Sequence, residues 1–243
     1  MYPNTSANLD SPNPLKQFLQ GIKFFFAGLP LLIKHPRLLT LSLIPIAITV
    51  VLLLGLAGGS AWLVGQMLVD APARGRALFQ AIAFLLALLL GFSLYLPVAR
   101  VLLAPFSEAL SRQTHVVTHG AVTYQSSLGW VRAVWEGLKL VLFQFVLLLA
   151  GFVLSFGLPV LGHLLWLVMT VVICGLDFLD VPLSARGLPL RAKLKLLWQH
   201  KALTLGFGAA GYVLLFIPVI NLFSLPVGVI GATLLTDRLH SRS

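Results

Sequence analysis

Apolar positions along this chain gather into four long blocks separated by short basic stretches, and two of those blocks are interrupted near their midpoints by proline. The first, Leu38 to Leu68, and the second, Ala77 to Leu103, each read as one long spanning helix. Both exceed the roughly 20 residues that cross a ~30 Å hydrocarbon core, so tilt or a projecting cytoplasmic end is expected. The third block, Lys139 to Leu176, breaks at Gly157-Leu158-Pro159-Val160-Leu161-Gly162. The fourth, Ala202 to Leu235, breaks at Ile217-Pro218-Val219-Ile220-Asn221. Each half of the fourth, about 16 residues at 1.5 Å rise, covers only ~24 Å. The pattern predicts two hairpins of half-penetrating helices with apices at Pro159 and Pro218. Irregular backbone at such depth survives only when buried in protein or lining a wet cavity, which makes a polar-solute pathway the leading hypothesis.

The remaining segments are shorter. Residues 14–33 place Phe18, Ile22, Phe25, Phe26 and Leu29 at helical spacing with Lys16, Gln20 and Lys23 on other faces, the pattern of a helix lying in the membrane interface. The turn His35-Pro36-Arg37 leads into the first span, where Pro45 predicts a kink. Pro105 through Gln125 predicts a few polar helical turns, and Trp130 and Trp135 suit the interface. After Asp177 a polar loop precedes an amphipathic stretch with Leu190, Leu194, Leu197 and Trp198. Residues 1–13 read as a disordered tail, residues 14–238 as one membrane domain, and residues 239–243 as a short tail.

Composition agrees: 58% of residues are hydrophobic and only 10% charged, which places the chain among all-α integral membrane proteins. The single Cys174 excludes an intrachain disulfide. Residues 1–15 carry no Arg or Lys, so no secretory signal peptide is expected there. The net charge of +10 reflects topology rather than nucleic acid. If both broken blocks return to their side of entry, 14 of the 17 basic residues share one face. The positive-inside rule makes that face, and both termini, cytoplasmic.

Candidate functional residues are few. Arg37, with Leu38 and Leu39, opens a long helix, where free N–H groups and the helix dipole favour an oxyanion. The plainer role for Arg37 is a lipid-phosphate anchor. Arg100, late in the second span, must snorkel, pair with a group such as Glu108, or face water. Asp177 and Asp180 share a helix face, and pairing with Arg186 or capping the following segment outweighs a metal-diphosphate role, since no second acidic motif accompanies them. Asn221 can satisfy backbone groups freed at the Pro218 apex or line a pore. His163 reads as hydrogen-bonded structure more readily than as a proton relay. Gly55 and Gly59 form a small-xxx-small pair that permits close helix packing. No nucleotide-binding loop, His/Glu cluster or nucleophile–His set is legible, so neither an enzyme nor a cofactor is expected.

Three stretches together resemble the CysZ sulfate-transporter family and its eukaryotic relative, the etoposide-induced-protein family. They are Leu102-Leu103-Ala104-Pro105-Phe106-Ser107-Glu108-Ala109-Leu110, Asp180-Val181-Pro182 with Pro189, and Ile217-Pro218-Val219-Ile220-Asn221 with Pro226-Val227 and Gly231-Ala232-Thr233. The resemblance implies two long spanning helices, two pairs of half-penetrating helices, sulfate entry for cysteine biosynthesis, and a homo-oligomer. It also implies an anion-binding Gly-aliphatic-Arg directly after the proline matching Pro36. Here Arg37 stands at the Gly position and Leu39 at that of the Arg. The reading is thus a permease for a small oxyanion, sulfate foremost. The alternatives are a non-transporting membrane scaffold or biogenesis factor and, behind it, a lipid or isoprenoid enzyme.

Overall fold

The computed structural model describes residues 13–120 and 130–240, and every regular element among them is an α-helix. In chain order these are α1 (Pro14–Lys34), α2 (Pro36–Met67), α3 (Ala73–His119), α4 (Trp130–Gly157), α5 (Pro159–Ala185), α6 (Leu190–Gln199), α7 (Lys201–Leu215) and α8 (Pro218–His240). Four stretches are long and apolar enough to cross a membrane: Pro36–Met67, Ala73–Leu90, Trp135–Gly157 and Val160–Ala185. The chain forms two compact units. One comprises Thr40–Phe106, the other the residues up to Leu39 and from Ser107 onward.

The smaller unit is a helical hairpin of the later part of α2 and the earlier part of α3. Ser60 Oγ donates to the Ala57 carbonyl at 2.8 Å and reaches the Ala83 carbonyl at 3.3 Å. Gly65 sits against the side chain of Gln80. Val51, Leu52, Trp62, Leu85 and Leu89 are all exposed. Helices this apolar on their outer faces are suited to lipid. α3 runs unbroken through Pro97 and Pro105, so the polar helical turns expected from Pro105 continue the second span as far as His119. Where water is scarce, a helix keeps its remaining backbone bonds internal at the cost of the one that proline removes.

In the larger unit α1 packs against α7 and α8, while α5 packs against α4, α7 and α8. Asn13 caps α1 by accepting the Leu15 N–H at 2.9 Å, so this last residue of the expected tail is structured; residues 1–12 lie outside the described residues. The core centres on Phe25, Phe178 and Phe207, one each from α1, α5 and α7. Their edge-to-face rings have centroids 5.5, 5.1 and 6.3 Å apart. Glycines set the helix crossings. A Cβ on Gly21 would strike the backbone of α7, one on Gly206 the backbone of α1, and Gly28 and Gly231 meet similarly between α1 and α8. Only a hydrogen at those positions lets two helix backbones touch.

These crossings change the expectation for α1. The stripe that docks is Gly21, Phe24, Phe25, Gly28, Leu31 and Leu32, all buried. Of the face read from sequence, Phe26 and Leu29 remain 43% exposed. Apolar side chains occur nearly all round this helix, so the position of its glycines, rather than bulk hydrophobicity, selects the packed face.

Both proline breaks fall where expected, with Pro159 and Pro218 each the first residue of the second arm, a position that needs no N–H. The arms of the first hairpin, expected to be half-penetrating, have 28 residues in α4 and 27 in α5, and each holds a stretch long and apolar enough to cross a membrane. Both helices also continue past the apolar block into polar sequence. In the second hairpin α7 has 15 residues and α8 has 23, and α8 takes in Leu239 and His240 from the expected tail.

Candidate functional site

At the turn between α1 and α2 the His35 N–H donates to the Leu31 carbonyl at 3.2 Å. The His35 carbonyl in turn accepts from Leu38 N at 3.0 Å and Leu39 N at 3.1 Å. Pro36 has no N–H, and Leu38 is fully buried. Most of the backbone donors expected to greet an anion are therefore committed within the chain. The exposed group this turn presents is the Arg37 side chain.

Asp177, Asp180 and Arg186 fall into a polar belt that joins α4, α5, α6 and α8 of the larger unit. Asp180 and Ser184 lie one turn apart on α5, and Lys193 of α6 reaches both. Its Nζ is 2.6 Å from Asp180 Oδ1 and 2.6 Å from Ser184 Oγ. The Lys193 side chain is only 5% exposed, so this pair is largely dry. Asp177 accepts from Gln144 Nε2 of α4 at 2.7 Å. Arg186 donates to Asp237 of α8 and, through Nη1, to the Thr236 carbonyl at 3.2 Å. The expected tie of the Asp177–Asp180 pair to Arg186 thus gives way to Lys193 for Asp180, and Arg186 serves Asp237. Glu108 pairs with Arg112 at 2.6 Å on the same helix face; the Arg100 side chain lies outside the described residues. Asn221 is buried, and its Oδ1 and carbonyl oxygen face Ser224 Oγ at 3.2 and 2.7 Å, which ties the start of α8 locally.

Several members of the belt were not singled out from sequence. Glu136 of α4 accepts the Leu190 N–H at 2.9 Å and pairs with Lys139 at 2.7 Å. Because Pro189 offers α6 no side-chain cap, this carboxylate supplies one from another helix and complements the positive helix start. Lys193 carried a signal. It occupies the same helical stripe as Leu190, Leu194 and Leu197, so a charge on the docking face demanded a partner. Ser111 and Thr233 join α3 to α8 at 2.9 Å.

Chemically the belt is a set of satisfied ion pairs that lock α6 onto α4 and α5. It holds the exposed Arg191, Lys195 and Lys201 outward with the exposed Trp198 beside them. Such a surface attracts anions and lipid headgroups.

Comparison with known proteins follows the same line. The family model described as Sulfate transporter CysZ/Etoposide-induced protein 2.4 matches residues 24–226. The sulfate transporter CysZ of Pseudomonas fluorescens strain Pf0-1 is 29% identical, the match covering 89% of this chain and 92% of that protein. The sulfate transporter CysZ of Salmonella typhimurium strain LT2 is 26% identical over 88% of this chain and 90% of its own length. That of Pectobacterium atrosepticum is 25% identical, covering 100% of this chain and 94% of that protein.

Proposed function

The chain belongs to the sulfate transporter CysZ/etoposide-induced protein 2.4 family, and from that premise we propose that it is a permease carrying a small oxyanion, sulfate first, across the bacterial inner membrane for cysteine biosynthesis. The observation that carries this reading is near full-length similarity to proteins named sulfate transporters, joined to helices long and apolar enough for a multi-pass membrane protein. Arg37 is the first contact for the anion. Its guanidinium offers several N–H donors to an oxyanion, and the neighbouring exposed Lys34 adds positive potential. Permeation is not driven by this chain's own ATP hydrolysis, and the working form is a homo-oligomer.

The test is uptake of radiolabelled sulfate by proteoliposomes. The unmodified protein gives saturable flux that selenate or thiosulfate inhibits. Arg37→Ala reduces apparent affinity by roughly three- to tenfold, the lower range for a charge-assisted hydrogen bond once solvent screens it. Leu39→Arg strengthens it. No flux from correctly folded protein defeats the permease reading, and unchanged flux in both variants moves the contact away from Arg37.

In the same proposal both hairpins re-enter, leaving both termini in the cytoplasm. What supports this reading is the partition of basic residues, 14 of the 17 falling on one face if both hairpins return to their side of entry. Cysteines introduced at Leu158 and Ile217, with Cys174 replaced, resist an impermeant periplasmic thiol reagent. Labelling of both would establish complete crossings instead.

A further inference from the structure

The far side of Asp237 holds a second arrangement that the ion pair with Arg186 does not use. Asp237 Oδ1 is taken by the Arg186 guanidinium, which fixes the carboxylate plane and leaves Oδ2 facing α3. Two imidazoles one helical turn apart converge on that oxygen. His115 Nδ1 lies 3.0 Å from it and His119 Nδ1 3.4 Å. The two rings stack with centroids 4.5 Å apart and planes 25° from parallel, so both nitrogens address the same point. All three ligand atoms lie within 4.8 Å of one another.

The two separations from Oδ2 are close to those of a metal polyhedron. A tetrahedral ion with bonds of about 2.0–2.1 Å to nitrogen and oxygen holds its ligand atoms roughly 3.3–3.4 Å apart. The observed separations from Oδ2 need changes of a few tenths of an ångström at most. We propose that His115, His119 and Asp237 bind a divalent transition-metal ion of the zinc type and so clasp the end of α3 to the end of α8.

Burial divides the roles. The side chains of His115 and Asp237 are 10% and 5% exposed and form a rigid floor, whereas His119 is 51% exposed and opens the site to solvent. The ion enters past His119, and water fills its fourth position. Thr118 Oγ1, 2.8 Å from His119 Nδ1, turns away or donates elsewhere when the metal binds. Two imidazoles with one carboxylate oxygen select zinc, cobalt or nickel over magnesium and calcium, which require more oxygen ligands. The Arg186 charge nearby lowers affinity below that of a four-ligand structural site, making the ion exchangeable. The inference is independent of the anion pathway.

The test uses full-length protein in detergent, with any affinity tag cleaved. Zinc binding is measured by elemental analysis and competition with a chromophoric chelator, and cobalt serves as the spectroscopic probe. One ion per chain is expected, with a cobalt d–d spectrum of nitrogen and oxygen ligands and a zinc-dependent rise in melting temperature. His119→Ala, at a half-exposed position that leaves the fold intact, weakens binding at least tenfold and abolishes the thermal shift. His115→Gln does the same. His240→Ala, on the same helix end but outside the ligand set, leaves both unchanged. Absence of zinc binding by the unmodified protein would overturn the proposal, as would unchanged affinity in His119→Ala.

Discussion

Glycine separates the two units of this molecule. In the larger one, Gly21, Gly28, Gly206, Gly208 and Gly231 lie where one helix backbone presses on another, and a methyl group at any of them would meet backbone atoms. In the smaller one, Gly55, Gly58 and Gly59 have nothing within 4 Å of an added Cβ among the described residues. The same residue type, even in the same small-xxx-small spacing, therefore specifies a crossing in one place and none in the other. What differs is the surface available to bury. Around α1 the crossings enclose fully buried Phe25 and Phe207, whereas Leu52, Leu54 and Leu56 flank Gly55 with their side chains exposed. Lipid is as apolar as leucine, so packing in a membrane is gained by close approach and polar ties rather than by exclusion of water.

The polar ties give the sharpest way to break this comparison. Lys193→Ala leaves the Asp180 carboxylate in a dry setting with Ser184 as its remaining hydrogen-bond donor. It should cost about 3 kcal/mol, the low end for a broken buried pair because Asp180 retains some solvent. Thermal melts in detergent check this, and the double variant Asp180→Leu/Lys193→Met should recover most of the loss. No recovery would mean that Lys193 acts through something other than the pair. An exposed pair such as Glu108–Arg112 should contribute only about 0.3–0.5 kcal/mol in the same assay.

A smaller effect is expected from the glycines themselves. Gly206→Ala forces α1 and α7 apart and should destabilise by about 1–3 kcal/mol, the range for overpacking. Gly58→Ala meets open space and should be neutral or stabilise by up to ~1 kcal/mol through helix propensity. Equal effects at the two sites would remove the distinction between the units.

The smallest effect is with pH. Between Thr40 and Phe106 there is no His, so titration near neutrality belongs to the larger unit. At the end of α8, beyond the apolar stretch, burial holds His240 below its ordinary value near 6.5, and the Arg186 charge adds to that shift. The unfolded chain then binds its proton first. Stability is unaffected above about pH 6.5 and declines as pH falls from there toward the depressed folded value. His240→Gln should flatten that limb of a stability–pH curve, and an unchanged slope would assign the dependence to other groups.

The sequence by itself determined the helical, membrane-embedded class, the two long spans, and both proline breaks. Each follows from local rules: apolar run length against bilayer thickness, and the missing N–H of proline. It also determined the segregation of basic residues, because charge placement along the chain is one-dimensional information. The tertiary structure alone decided which face of α1 is buried, since apolar residues surround that helix and only its meeting with Gly206 and Gly231 selects a stripe. It decided the partners of Asp180 and Arg186, which sit 13 and 51 residues from Lys193 and Asp237. It also brought His115 and His119 to Asp237, more than 100 residues away in sequence. Charge pairing and ligand convergence depend on distances between helices, and those distances exist only once glycine contacts have fixed where the helices cross.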